Sequence, residues 1–136
     1  MLAMKTRYAM IALTHLAREY GNGPVQSHRI CADEKMPQRF LEVILLELKK
    51  LGVLGSKPGK SGGYYLIKKP DQVTLQDVVS HFEGAIGMLH CVSEKHYQPC
   101  EFCKDENTCT IRKVFLTIRT KTNELLQQTT LLDLIS

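Results

Sequence analysis

The chain has 136 residues, 43% of them hydrophobic and 24% charged. That is the size of one domain, with enough apolar material to build a core without disulfides. The composition argues against a disordered or collagen-like chain, and no run approaches the ~20 apolar residues that span a bilayer. The first residues show no basic lead-in, and Thr14, His15, Arg18 and Glu19 break their apolar run. No secretory signal is read there, and the expected location is the cytoplasm. The net charge of +4 is unevenly spread: residues 1–70 hold 12 Lys/Arg against 5 Asp/Glu, and residues 71–136 hold 6 against 9. A concentrated positive field suits a polyanionic partner, because each neutralised phosphate releases counterions.

After Thr6, apolar residues at 9, 12, 13 and 16 keep helical spacing until Gly21-Asn22-Gly23-Pro24 stops them. Ser27 is placed to cap a short helix over residues 28–34, with Ile30, Cys31 and Ala32 on its buried side. Lys35-Met36-Pro37 reads as a turn, with Pro37 opening the next helix. In that helix, to Leu51, the residues Phe40, Leu41, Ile44, Leu45 and Leu48 form one apolar stripe expected to be buried. Two short strands follow, Val53 to Ser56 and Tyr64 to Ile67, joined by the basic, glycine-rich loop Lys57-Pro58-Gly59-Lys60-Ser61-Gly62-Gly63. Thr74 and Asp77 form a capping box for a helix to about His81. A polar, cysteine-bearing loop leads to a long helix over residues 110–128. Its stripe is Ile111, Val114, Phe115, Ile118, Leu125 and Leu126. Thr130 and Asp133 cap a last turn.

Short helix, tight turn, longer helix and two-stranded wing are the parts of a winged helix-turn-helix. The expected fold is therefore mostly α with a small β-hairpin wing. A helix fits the major groove, where base edges carry a distinct donor and acceptor pattern. Exposed residues near the start of the second helix face the bases. Here they are Gln38 and Arg39, suited to adenine and guanine, and Glu42, which can accept from cytosine. Ser27 and Lys49 beside them, and Lys57 and Lys60 in the wing, complete the candidate DNA contacts. Gly59, Gly62 and Gly63 would let backbone approach phosphate. The Gly59-Lys60-Ser61 triplet is not read as a nucleotide loop, because Leu54 stands where the first glycine belongs and no helix follows. No nucleophile–base arrangement is present, so an enzyme is not expected.

Five cysteines occur, at 31, 91, 100, 103 and 109. Cys31 sits among apolar residues and reads as a small packed side chain. The other four crowd into 19 residues. In a reducing compartment such crowding points to metal or redox chemistry. Thiolates are soft ligands for an iron–sulfur cluster or for zinc. His90 and His96 lie close enough to be further candidates.

Over nearly its whole length the chain resembles the Rrf-two family of bacterial transcription regulators, which includes IscR-, NsrR- and CymR-like proteins. The resemblance rests on Thr6-Arg7-Tyr8-Ala9, on Phe40-Leu41-Glu42 with Leu48-Lys49-Lys50-Leu51-Gly52, and on Gly62-Gly63-Tyr64. It extends through the cysteine loop to Thr130-Leu131-Leu132-Asp133-Leu134. It implies a homodimer on palindromic double-stranded DNA, with a winged domain (residues 1–82), a sensor loop (83–109) and a dimerisation helix with its cap (110–136). It also implies an iron–sulfur cluster on Cys91, Cys103 and Cys109 that modulates operator affinity, with Cys100 as an extra candidate ligand or resolving thiol. Two family features differ: Arg112 stands where IscR-like members carry a histidine, and Arg7 where NsrR-like members carry an acid. A zinc-bound or thiol–disulfide loop, or a winged module that binds protein, are the alternatives.

Overall fold

The computed structural model describes residues 2–84, 90–93, 97–102 and 105–136. The elements in chain order are α1 (Met4–Arg18), α2 (Ser27–Glu34), α3 (Gln38–Lys50), β1 (Leu54–Lys57), β2 (Gly63–Leu66), α4 (Leu75–Glu83), α5 (Thr110–Gln128) and α6 (Leu131–Ile135). Short 3-10 turns lie at Pro70–Gln72, His90–Val92 and Glu106–Thr108. Among the described residues the fold is mostly helical with one antiparallel hairpin, as the patterning predicts.

α1 is the axis of the body. Its buried face, Ala9, Ala12, Leu13 and Leu16, shares one core with Ile30 of α2, with Leu41, Ile44, Leu45 and Leu48 of α3, and with Val78 of α4. Small alanines let the helices approach closely, and the leucines fill the space between them. Buried His15 hydrogen-bonds Glu34 Oε1 at 3.0 Å through Nδ1 and so ties α1 to α2. The chain end returns to the same core. Leu131 of α6 is fully buried there, and its N–H donates to the Val73 carbonyl at 3.0 Å. The capping boxes at Thr74/Asp77 and Thr130/Asp133 both form.

Several local expectations shift. α1 begins at Met4, so Thr6 lies inside it, fully buried, rather than before it. Ser27 is the first residue of α2, and the N-cap position belongs to Gln26, which makes no side-chain cap. Ala32 is exposed and Cys31 is half-buried, so Ile30 carries the apolar contact of α2. α4 runs on to Glu83. The main correction is Phe40, which is 63% exposed instead of buried. At 100° per residue it stands at the margin of the stripe centred on Leu41, Ile44, Leu45 and Leu48. With Val43, Met4 and Tyr8 it lines an apolar cleft beside α1.

The start of α1 is held from far along the chain. Glu83 Oε1 accepts from the Ala3 N–H at 2.7 Å and from the Thr6 hydroxyl at 2.6 Å. These two donors, the Thr6 hydroxyl foremost, hold the Glu83 carboxyl below the ordinary glutamate value of 4.5. A carboxylate lowered in the folded state gives stability that is complete above its unfolded value. That stability drains away as pH falls through the lower native value. Melting measured between about pH 6 and pH 3 should therefore show a shallower acid loss for Glu83→Gln than for the parent chain. Equal acid slopes would contradict the clasp.

Candidate functional site

α3 is locked by its apolar stripe, and that fixes what faces outward. Gln38, Arg39, Glu42 and Lys49 are all exposed. Gln38 Nε2 donates to Glu42 Oε1 at 3.2 Å and lies 3.5 Å from Ser27 Oγ, so α2 and α3 present one polar strip. Lys49 Nζ donates to Ser56 Oγ at 2.7 Å, which joins the far end of the strip to the wing.

The wing is fastened to the same body. Val25, just ahead of α2, pairs with Tyr64 through two backbone hydrogen bonds of 2.8 Å. The Gln26 side chain donates to the Lys60 carbonyl at the wing tip. Lys57 and Lys60 are exposed there. The glycines serve the wing itself. A Cβ on Gly62 would lie 2.1 Å from the Lys57 carbonyl oxygen, and one on Gly63, at φ +141, would lie 2.4 Å from Val25 backbone. Their first task is close approach of the chain to itself, an internal constraint that the sequence pattern alone does not reveal.

The cysteines are positioned by α5. Cys109 is the N-cap of α5, and its Sγ accepts from the Arg112 N–H at 3.4 Å. The Arg112 side chain reaches back to donate to the Cys91 carbonyl at 3.3 Å, and Arg119 donates to the Val92 carbonyl at 2.5 Å. Cys91 is buried and Cys100 is exposed. Cys103 and His96, and the side chain of His90, lie outside the described residues. Among the described residues no three His, Cys, Asp or Glu side chains gather into a metal-holding group. Cys31 stands apart: burial first, and the Glu42 carboxylate second, push its thiol above the usual range. It behaves as the packed side chain its neighbours suggest.

α5 has two flanks. Arg112, Leu116, Arg119 and Asn123 are half-buried toward the body. Ile111, Val114, Ile118 and Leu125 lie along the outer flank, with Leu125 65% exposed. At 1.5 Å per residue the helix is about 28 Å long, and its apolar stripe extends through most of that length. Among the described residues no helix is long and apolar enough to cross a membrane.

A family model described as "Rrf2: Iron-dependent Transcriptional regulator" matches residues 2–136. An Rrf2-like protein of Rhodobacter capsulatus, described as a putative HTH-type transcriptional regulator, is 40% identical, over 100% of this chain and 93% of that protein. The HTH-type transcriptional regulator CymR of Bacillus subtilis is 30% identical, over 99% of this chain and 89% of its own. The solved structure of CymR (YrzC), the global cysteine regulator of B. subtilis, superposes with a TM-score of 0.83 at 27% identity, covering 99% of this chain and 95% of that one. The fold is also that of IscR from T. potens, at TM-score 0.77 and 24% identity, over 99% and 85% of the two chains. These relatives are regulators rather than enzymes, and the chain belongs to the Rrf2 family of transcriptional regulators.

Proposed function

We propose that this chain acts as a homodimer that binds a palindromic DNA site through α3 and the wing, with affinity set by the cysteines between residues 91 and 109. The observation that carries the reading is the outward face of α3. Its polar strip of Gln38, Arg39, Glu42 and Lys49 is uncovered, while the opposite face is fully buried and the basic wing tip is tied to the same body. A rigid helix with an exposed strip beside a second basic element meets the geometric need of groove reading with flanking phosphate contact. Dimerisation draws support from the exposed stripe of α5, an apolar band at helical spacing along an element that the body covers on one flank.

Cys91, Cys103 and Cys109 are the residues that would hold an iron–sulfur cluster. The donor chemistry suits it: Cys109 sits at a helix N-terminus, and the Arg112 cation reaches the Cys91 carbonyl. The iron dependence in the family description supports the same assignment. When bound, such a cluster supplies one-electron and ligand-exchange chemistry at iron. The chain's own part is to hold the sulfur-bearing segment against α5 through Arg112 and Arg119. A second reading, a thiol–disulfide switch, is favoured by the exposure of Cys100 and by likeness to a cysteine regulator.

Two measurements test these readings. Arg39→Ala should cost about 1–3 kcal/mol and relax preference at one base position. Lys60→Ala should weaken binding to all duplexes alike and lower the salt slope by about 1. Uniform loss in both variants would remove the base-reading role of Arg39. Protein purified without oxygen should be brown and contain iron and sulfide, and Cys103→Ala should lose both while keeping its helical content. Colourless protein that contains zinc would overturn the cluster. Colourless, metal-free protein that oxidises reversibly at Cys100 would favour the thiol switch.

A further inference from the structure

We propose that Glu47 is a positioning residue that couples the recognition helix to the segment entering the cysteine loop. Glu47 lies on α3 about 140–180° around the helix from Gln38, Glu42 and Lys49, and about 80° from Arg39, so it stands off the flank that carries Gln38, Glu42 and Lys49. Side chains of two other elements lie against it. Lys5 of α1 donates to Oε1, and His81 Nε2 of α4 lies 3.6 Å from Oε2. The end of α4 is in turn fastened to α1. Lys5 Nζ sits 5.7 Å above the Phe82 ring, His81 packs edge-on to that ring at 4.9 Å, and Glu83 clasps Ala3 and Thr6.

The contacts close a ring: α3 to α1 through Lys5, α1 to α4 through Phe82 and Glu83, and α4 back to α3 through His81. Gly84 follows at once, buried, at φ 77 and ψ −150, a backbone region open essentially to glycine alone. Gly84 is the last described residue before His90 and sets the backbone at the end of α4. Any displacement carried to residues 81–83 from the loop reaches Glu47 through two side chains.

The ring works through geometry rather than strength. Lys5 and Glu47 are partly exposed, and exposed ion pairs add little stability. A small pull at the far flank of α3 still turns the strip on the near flank, because the helix moves as one body. That this pull originates in cysteine chemistry rests on the sensor reading above. The ring itself does not.

Amide hydrogen exchange on the full chain tests the ring without DNA. Glu83→Ala should speed exchange in the last turns of α3, residues 45–50, by about threefold or more. The same change made in a Glu47→Ala background should add nothing there. An effect confined to α1 and α4, or an equal factor in both backgrounds, overturns the proposal. Should Glu83→Ala not fold, Thr6→Val, which removes one of the two donors, enters the same cycle.

A second arm reads function. The probe is a duplex selected from a random pool by the parent protein. The ratio of its affinities for thiol-reduced and diamide-oxidised protein should shrink in Glu47→Gln by about threefold or more, with helical content unchanged. An unchanged ratio in Glu47→Gln overturns the coupling. A ratio of one in the parent protein defeats the sensor reading instead, and the exchange cycle then decides the ring alone.

Discussion

The orientation of α3 depends on burial of one stripe. Leu41, Ile44, Leu45 and Leu48 are withdrawn from water into the core that α1 organises with Ala9, Ala12, Leu13 and Leu16. Full burial of such a side chain contributes about 1.5–3 kcal/mol, against about 0–1 kcal/mol for an exposed ion pair. The stripe therefore dictates which residues of α3 meet solvent, and polar contacts can only trim the angle. Gln38, Arg39, Glu42 and Lys49 face outward because four neighbours cannot.

Much of this was legible in the sequence, for a local reason. Spacing of three and four residues reports one helix face, so the α3 stripe and the α5 stripe could both be read directly. Thr74 with Asp77, and Thr130 with Asp133, satisfy backbone donors within one turn, so their caps are visible in four letters. Phe40 lies beyond what a local pattern can report. Periodicity says which residues share a face, but it does not say how far a neighbouring element extends over the margin of that face. Contacts between distant positions leave no local signature at all. The clasp of Glu83 on Ala3 and Thr6 spans 80 and 77 positions, and Lys5 meets Glu47 across 42. The wing glycines were legible as a turn, but their close contacts with Val25 and Lys57 were not.

Cys91, Val92 and Cys109 are tied to the outer helix. Arg112 and Arg119 hold the Cys91 and Val92 carbonyls against α5. At its other end, α5 leads to Thr129, which accepts from the Leu75 N–H at 2.9 Å, and to Leu131 in the core. The helix that carries the uncovered apolar stripe is thus tied both to the sulfur-bearing segment and to the body that carries α3.

The central claim is that two copies present matched recognition helices to one duplex. Hydroxyl-radical footprinting on a duplex selected by the protein tests it most directly. The account predicts two protected patches on one face of the DNA, related by a dyad and centred about one helical turn apart or a multiple of it, roughly 34–36 Å per turn. A single unsymmetrical patch, at protein concentrations that saturate the duplex, would contradict it.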